Sequence, residues 1–259
     1  MVNKENIISA FSNFKTNRPF YYCVIDNFLK DSFAELVANE FPSFDSAQYN
    51  GNYNNQIEFK KTCNIWDKFL PNTYKLLNYL NSTEFVSNIS EWTETLELYA
   101  DPGLHGGGQH THPRGGKLNP HLDYNIHPKL GLQRKFNLLL YLTPNWNESW
   151  GGDFGLWNSN ESGPTSISTT ISPQFNRAIF FDTTMNSWHG LATEVNCPTN
   201  ISRNSIAVYY LTVPPKDAEL RQRAKFAPTN EQKNNQSILD LIERRSRTNG
   251  NDVETWERK

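Results

Sequence analysis

Apolar residues recur at helical spacing in the first third of the chain. The stretch from Trp66 to Trp92 carries such pairs and predicts one or two helices. An earlier helix is expected near Ser32, whose spacing to Glu35 suits a capping box, and Pro42 is expected to end it. The preceding segment FYYCVIDNF is aromatic and β-branched, which favours a strand. The asparagine-rich segment SFDSAQYNGNYNNQ predicts a loop.

From about residue 94 the pattern changes to short apolar runs separated by Gly, Pro and Asn. These runs are LELYA, FNLLLYL, GDFGLW, TSISTTIS, RAIFFD and SIAVYYLTV. Many short strands with turn residues between them are typical of a sandwich or barrel, here of the jelly-roll type. After Pro214 and Pro215 the chain becomes highly charged, and it predicts one helix over 231–247 and a loose tail, TNGNDVETWERK.

The pattern indicates one structural domain made of three stretches. Residues 1–93 are predicted to be a helical and strand support region, residues 94–215 the jelly-roll core, and residues 216–259 a charged helix and tail. A chain of 259 residues can bury one good core, or at most a core with a small addition.

Composition and charge argue against several classes of function. The formal net charge of -2 provides no basic field of the kind that nucleic-acid binders carry. No apolar run reaches the roughly 18 residues of a membrane span, and the N-terminus lacks a secretory apolar stretch. We therefore expect a cytoplasmic protein without nucleic-acid or membrane partners. Cys23, Cys63 and Cys197 are scattered and are expected to be packing residues in a reducing compartment.

Candidate chemistry begins with His121 and Asp123 in the segment GGKLNPHLDYNIHP. Residues i and i+2 of a strand point to the same face, so an imidazole nitrogen and a carboxylate oxygen can converge there while Leu122 packs. An iron site of the facial-triad type needs one further imidazole and leaves positions open for substrate and oxygen. A histidine and an aspartate at this spacing are a weak signal on their own.

His189 is the candidate for the third ligand. It follows the strand-like run RAIFFD after a polar turn, and it precedes Gly190, which lets the backbone pass close to a site. Fourteen residues further on, Arg203 and Ser205 open a β-rich run. A guanidinium suits a carboxylate, and a serine hydroxyl on the same strand face can add a hydrogen bond. Iron beside such a carboxylate clamp indicates a 2-oxo acid cosubstrate.

The region from about residue 75 to 212 resembles the Fe(II)- and 2-oxoglutarate-dependent oxygenases of the prolyl 4-hydroxylase-like group. The matching segments, in order, are LLNYLNSTEFV, DPGLHGGGQHTHPRGGKLNPHLDYNIHP, RKFNLLLYLTPNW, WGGDFGLWN, ISPQFNRAIFF, SWHGL and RNSIAVYYLT. Several segments in the right order are far more specific than a single pair of residues. The resemblance implies a double-stranded β-helix (jelly roll), so the expected fold class is mainly β with flanking helices (α+β).

The resemblance also implies a role for each matching residue. His121, Asp123 and His189 would bind Fe(II), and Arg203 would bind the distal carboxylate of 2-oxoglutarate. Tyr141, in YLT where the family has a YLN-like segment, would donate its hydroxyl to that same carboxylate. Ser205 is a further candidate for binding the cosubstrate. The long link between His189 and Arg203 departs from the family's usual pattern.

The implied reaction consumes O2 and 2-oxoglutarate, hydroxylates an aliphatic C–H bond, and releases succinate and carbon dioxide. A prolyl residue of a peptide or a free amino acid is the expected substrate, and ascorbate is a further candidate cofactor. Loops decide the prime substrate, and the sequence does not place them. The oligomeric state also stays open.

Other polar residues of this region have plainer explanations. His105, His110, His112 and His127 lack the cysteines and the helical spacing of a zinc site, so we expect them to shape the mouth of the cleft or to be solvated. The three glycines 106–108 lack the lysine and the helix of a phosphate loop and predict a flexible loop.

Further residues near these segments are expected to be structural. Trp188 is predicted to pack, and Arg134 and Arg177 to be surface charges. Gly151 and Gly152 predict a tight turn into a strand.

Two alternatives to the oxygenase remain. A non-catalytic, cupin-like jelly-roll binding protein would keep its binding after Asp123→Ala, and 2-oxoglutarate would neither decarboxylate nor protect it from unfolding. A redox-inactive zinc hydrolase could use the same ligands, but it has no reason to place Arg203 and Tyr141 beside the metal.

Overall fold

The computed structural model describes residues 1–247, so the tail predicted to be loose lies outside the described residues. Within 1–247 the α-helices are α1 Lys4–Phe11, α2 Asp31–Ala38, α3 Pro71–Leu80, α4 Thr83–Thr93 and α5 Gln236–Ser246. Two short 3-10 helices span Trp66–Lys68 and Glu148–Trp150. None of the helices in this range is both long and apolar enough to cross a membrane.

The strands of the same range form two antiparallel sheets. They are β1 Tyr22–Ile25, β2 Gly51–Asn54, β3 Glu58–Cys63, β4 Leu98–Ala100, β5 Gly108–His112, β6 Lys117–Leu118, β7 His121–Leu122, β8 Gln133–Tyr141, β9 Phe154–Asn160, β10 Gly163–Ile171, β11 Ala178–Asp182, β12 His189–Leu191, β13 Arg203–Thr212 and β14 Lys225–Phe226. The large sheet has the order β1-β11-β8-β13-β5-β3-β2, with β4 attached to β13 and β6 to β3. The small sheet has the order β10-β9-β12-β7-β14. The predicted fold class, mainly β with flanking helices, is confirmed.

One face of the large sheet packs against the N-terminal helices. Ile206, Val208 and Tyr210 of β13 belong to the same buried cluster as the apolar residues of α1 to α4. At the centre of this cluster the ring of Phe180 on β11 lies 4.9 Å from the ring of Phe11, centroid to centroid. Burial of each such side chain contributes roughly 1.5–3 kcal/mol, so this face holds the sheet and the helices together.

The opposite face of the large sheet lines a cavity. Because side chains alternate along a strand, Arg203, Ser205 and Tyr209 of β13 point away from the helices. His110 and His112 of β5 lie beside them, since Ser205 pairs with His110 and Arg203 with His112. These polar residues are therefore gathered on the face that the helices leave uncovered.

The small sheet closes the cavity from the other side. Its β7 and β12 pair through His121 and His189. On the outer side of β7, Phe226 of β14 pairs with His121, so the segment that follows the jelly roll becomes part of the sheet. The Asn119 amide donates to the carbonyl oxygen of Ala227, which fastens this segment in place.

The structure corrects several predicted elements in the N-terminal region. Helix α2 begins at Asp31 after Lys30, without a side-chain cap, so the capping box at Ser32 was wrong. The loop predicted for SFDSAQYNGNYNNQ was wrong for Gly51–Asn54, because β2 pairs there with β3. Helix α1 was not foreseen.

Two predictions further along the chain also change. The flexible loop at 106–108 was wrong for Gly108, which begins β5 with a positive φ. A Cβ atom at Gly108 would lie 2.1 Å from the carbonyl oxygen of Cys63, so close packing against β3 explains this glycine. Helix α5 begins five residues later than predicted, where the Asn235 side chain accepts a hydrogen bond from the Ile238 N–H. The three cysteines are free and buried, as predicted.

Candidate active site

The structure brings His121, Asp123 and His189 together in the interior. One potential ligand atom from each lies within 4.8 Å of the other two. The Nε2 atoms of both histidines are 3.8 Å from carboxylate oxygens of Asp123. The pairing of β7 with β12 places the two imidazole rings 4.3 Å apart, and Asp123 follows β7 directly. All three side chains are buried.

Each imidazole is oriented by a backbone carbonyl two residues earlier. Nδ1 of His121 lies 3.0 Å from the carbonyl oxygen of Asn119, and Nδ1 of His189 lies 2.7 Å from that of Ser187. A neutral imidazole that donates its Nδ1–H to a carbonyl keeps a lone pair on Nε2. Both Nε2 atoms are thus available as ligands on the side that faces Asp123.

The protonation states suit a divalent cation. Burial lowers the pKa of His121 to about 3 and also lowers the pKa of His189. Burial would raise the pKa of Asp123, but the surrounding charges, led by Arg134, lower it to about 2. Oδ2 of Asp123 is buried without a hydrogen-bond partner within residues 1–247. Two neutral imidazoles and a carboxylate with an unpartnered oxygen fit Fe(II).

Arg134 lies beside Asp123 and is buried, contrary to the prediction. It is only 2% exposed, so the expected surface charge was wrong. Its guanidinium carbon lies 3.3 Å from the ring centroids of both Tyr124 and Tyr209, and its Nη1 lies 3.3 Å from Oδ1 of Asp123. A second terminal nitrogen donates to the carbonyl oxygen of His105. Arg134 therefore holds one carboxylate oxygen and leaves the other free.

Arg203 lies close to the other predicted cosubstrate residues. Ser205 pairs with Tyr141 across β13 and β8, and the Arg203 guanidinium carbon is 4.6 Å from the Tyr141 ring centroid. Nε of Arg203 donates to the carbonyl oxygen of Gly152 at 2.7 Å. A Cβ atom at Gly152 would lie 3.0 Å from Cδ of Arg203, so the predicted tight turn also makes room for this arginine.

One cavity of about 480 Å³ connects these groups. His121, Asp123, His189, Arg203 and Ser205 all line it. Tyr141 is buried beside Arg203 but is not on the cavity wall, so its predicted contact with the cosubstrate stays a prediction. A volume in this range suits a small cosubstrate together with part of a second molecule.

The remaining histidines are less exposed than predicted. His105, His110 and His112 line the cavity, which agrees with a role in shaping the cleft. The expectation that these residues are solvated was wrong, because His105 is half-buried and the others are buried. Burial lowers the pKa of His110 to about 3 and that of His112 well below its usual value. His127 is buried 3.5 Å from a carboxylate oxygen of Asp101.

Two further residues, Trp188 and Arg177, have structural contacts, as predicted. Trp188 packs against Leu122 and Trp157, as predicted. Arg177 forms an ion pair with the exposed carboxylate of Asp26 at 2.6 Å, as expected for a charge near the surface.

Sequence reasoning missed residues supplied from outside the jelly roll. Phe226 of β14 stacks on the ring of His121 with centroids 5.2 Å apart, and Arg221 donates to the carbonyl oxygen of Asp123 at 3.0 Å. Lys60 of β3 also lines the cavity. The only available signal was the pair of apolar residues Phe226 and Ala227 within a charged segment.

The chain is similar in sequence to several known proteins. Residues 107–211 match the sequence model of the 2OG-Fe(II) oxygenase superfamily. The chain is 24% identical over 220 residues to prolyl 3-hydroxylase OGFOD1 of Mus musculus, covering 76% of this chain and 34% of that protein. A 57-residue segment is 35% identical to prolyl 3-hydroxylase OGFOD1 of Xenopus laevis, covering 22% of this chain and 11% of that protein. The chain thus spans about a third of the length of the mouse relative.

Solved structures of prolyl hydroxylases share the fold. A prolyl-4-hydroxylase of Pseudomonas putida superposes with a TM-score of 0.54 and 15% identity, covering 80% of this chain and 98% of that one. A prolyl 4-hydroxylase of Phytophthora capsici superposes with a TM-score of 0.54 and 19% identity, covering 95% of this chain and 77% of that one. A prolyl hydroxylase of Trichoplax adhaerens was solved with a peptide fragment of hypoxia inducible factor. It superposes with a TM-score of 0.52 and 18% identity, covering 81% of this chain and 91% of that one. Residues 107–211 therefore resemble the 2OG-Fe(II) oxygenase superfamily, and the chain shares the fold of these prolyl hydroxylases.

Proposed function

We propose that the chain is an Fe(II)- and 2-oxoglutarate-dependent dioxygenase that hydroxylates an aliphatic C–H bond of a prolyl residue or a free amino acid. The observation that carries this proposal is the placement of His121, Asp123 and His189 in one buried cavity with Arg203 and Ser205. The names of the relatives, all prolyl hydroxylases, support the choice of substrate.

In this proposal the three residues hold the iron through Nε2 of His121, a carboxylate oxygen of Asp123 and Nε2 of His189. Bound iron, with 2-oxoglutarate and O2, supplies the oxidation that turns the keto acid into succinate and carbon dioxide and inserts one oxygen atom into the C–H bond. The carbonyl groups of Asn119 and Ser187 keep the imidazoles oriented.

Arg134 acts as a positioning residue for the metal site. It occupies Oδ1 of Asp123, so the unpartnered Oδ2 is the oxygen available to the cation. The rings of Tyr124 and Tyr209 hold its guanidinium on both faces. This arrangement favours binding of the metal through a single carboxylate oxygen.

Arg203 binds the distal carboxylate of 2-oxoglutarate in this proposal. Its Nε is fixed by the carbonyl oxygen of Gly152, and a fixed guanidinium loses little freedom when it binds a carboxylate. Ser205, on the same strand face, is placed to add a hydrogen bond to the cosubstrate. Tyr141 orders the guanidinium through its ring.

We also propose that the stretches 1–93, 94–215 and 216–259 work as one unit, because β3 and β14 complete the sheets around the cavity. A cytoplasmic location is part of the proposal, supported by the three free, buried cysteines.

Anaerobic addition of Fe(II) and 2-oxoglutarate tests the proposal. We expect a weak visible charge-transfer band from the chelate and, after oxygen is admitted, release of succinate. Folded protein without the band would contradict the oxygenase and leave the jelly-roll binding protein as the alternative. Asp123→Ala should lose both signals, whereas Arg177→Gln, a change near the surface, should keep both.

A further inference from the structure

The cavity extends beyond the residues proposed for iron and 2-oxoglutarate. On that side its wall is formed by β2 and β3, with Tyr53, Glu58, Lys60 and Thr62, and by the C-terminal helix with Arg245. We call this part the outer chamber. None of its residues has a task in holding the metal or the cosubstrate.

Lys60 occupies a defined place in the outer chamber. Glu58, Lys60 and Thr62 line the cavity, whereas the neighbouring Lys61 donates away from it to the carbonyl oxygen of Phe44. Thr62 pairs with His110 across β3 and β5, and this antiparallel register continues to place Lys60 beside His112.

The position of Lys60 separates it from the proposed cosubstrate clamp. His112 pairs with Arg203 on the next strand, so Lys60 and Arg203 lie at the two ends of one row across three strands. With a strand spacing of about 4.8 Å, their backbones are roughly 10 Å apart. Lys60 and Arg203 are therefore separate positively charged positions on the cavity face of the sheet.

The Lys60 ammonium lacks a hydrogen-bond acceptor within residues 1–247. Its side chain is 13% exposed, and the nearest anionic atom, Oε2 of Glu58, is 3.9 Å away. The ring of Tyr53 lies 5.3 Å from the ammonium, and Glu58 is in turn bound by Arg245. An ammonium group has three donors, and this one lies half-buried at the cavity wall, where a ligand oxygen can take the place of water.

The charge of Lys60 is less closely matched than that of its neighbours. Arg134 pairs with Asp123, Arg203 is assigned to the cosubstrate, and Glu58 is bound by Arg245, so its carboxylate approaches the Lys60 ammonium only to 3.9 Å. A dianion at Lys60 would be repelled by the Glu58 carboxylate only 3.9 Å from the ammonium, so a single negative charge fits better.

We propose that Lys60 binds a carboxylate group of the prime substrate. This inference rests on the proposed oxygenase function and narrows its substrate to carboxylate-bearing molecules. The carboxylate is that of a free amino acid or that of an acidic residue next to the hydroxylated position of a peptide. Binding at Lys60 would hold one end of the substrate while the C–H bond lies towards His121 and His189.

Binding of matched probes to the anaerobic protein loaded with Fe(II) and 2-oxoglutarate tests this inference by calorimetry. N-acetyl-L-proline is compared with N-acetyl-L-prolinamide, and a Pro-Glu peptide with the corresponding Pro-Gln peptide. We expect the carboxylate of at least one pair to bind about tenfold more tightly than its amide, as for a hydrogen bond to a charged group. The pair that shows the preference identifies the source of the carboxylate.

Lys60→Met should remove this preference and change the affinity for 2-oxoglutarate by less than about twofold, which is under 0.5 kcal/mol. Lys61→Met is the matched control on the same strand and should behave like the wild type. Equal affinities within both pairs, no binding of either acid, or a Lys60→Met protein that loses 2-oxoglutarate instead would each overturn the inference. If the wild-type protein fails to bind 2-oxoglutarate with Fe(II), the proposed function itself fails.

Discussion

The two faces of the large sheet are built from the same strands and serve opposite purposes. On β11, Phe180 points into the helix-covered core, while the adjacent Phe181 lies 4.8 Å from the ring of His189. On β13, Ile206 and Val208 pack against the helices, and Arg203 and Ser205 line the cavity. The apolar groups of one face pack against each other, whereas the other face has buried polar atoms, such as Nε2 of His110, that lack a hydrogen-bond partner within residues 1–247. Such unpartnered atoms mark where a ligand completes the structure.

The largest expected effect concerns the face that lines the cavity. Asp123→Ala removes the only carboxylate of the triad, and turnover of 2-oxoglutarate should fall by about three orders of magnitude, since a metal contributes several kcal/mol. Succinate release and Fe(II) affinity would be measured together. The urea midpoint should also fall, because Arg134 loses its buried partner, so both measurements are made on protein shown to be folded. Undiminished Fe(II) affinity of the folded variant would contradict the role of Asp123 as a ligand.

Replacement of one phenylalanine at a time sharpens the comparison of the two faces. Phe180→Ala should lower the free energy of unfolding by about 3–5 kcal/mol, because it opens a cavity among rings on the helix side. Metal affinity of the folded protein should stay unchanged. Phe181→Ala should lower both quantities, since its ring supports His189. Identical behaviour of the two variants in urea denaturation and metal titration would contradict the claim that one face stabilises the fold and the other supports the metal site.

Arg203→Gln tests the cosubstrate end of the cavity. Loss of a charged hydrogen-bond donor should raise the KM for 2-oxoglutarate by about 10- to 100-fold, or roughly 1.5–3 kcal/mol. Metal affinity without the cosubstrate should be close to that of the wild type. A KM that does not move would remove Arg203 from the proposed clamp.

Arg134→Gln tests the positioning residue behind the metal site. Groups that orient a metal ligand typically contribute 10- to 100-fold in affinity, and we expect about tenfold weaker Fe(II) binding here. The KM for 2-oxoglutarate measured at saturating iron should be unchanged, which separates this effect from that of Arg203→Gln. An equal loss in both quantities would indicate general damage to the cavity.

Acid should weaken the apoprotein gradually. The pKa values of His105, His110 and His121 fall to about 4, 3 and 3, against 6.5 in an unfolded chain. Between these values the unfolded state binds more protons, so stability is complete above about pH 6.5 and is lost as the pH falls. Each histidine adds up to about 1.4 kcal/mol per pH unit. Urea midpoints at about pH 7.5 and 5.5, on either side of that pKa, measure the slope, which His110→Asn should reduce by about half a proton on average over this range.

The strands of the core could be predicted because both of their faces are buried and they read as apolar runs. The same property concealed Arg134, which looks like a surface charge within the run that forms β8. His121, Asp123 and His189 could be proposed together only through the order of family segments. The long stretch of chain between Asp123 and His189 holds no local signal that they meet.

Lys60 and Phe226 were not predictable for a different reason. Phe226 lies on β14, the edge strand of the small sheet, and Lys60 lies on β3, which only β2 separates from the edge of the large sheet. Short polar or charged segments carry no pattern that specifies such pairings. Residues on such peripheral strands could therefore be assigned to the cavity only from the structure.

The central position of β13 has a consequence for synthesis on the ribosome. This strand is among the last of the jelly roll to emerge, yet it joins β8 to β5 in the middle of the large sheet. Until residue 212 has left the exit tunnel, the earlier strands expose unpaired edges on both sides of the gap, a state prone to aggregation. This domain is thus most vulnerable during synthesis just before β13 emerges.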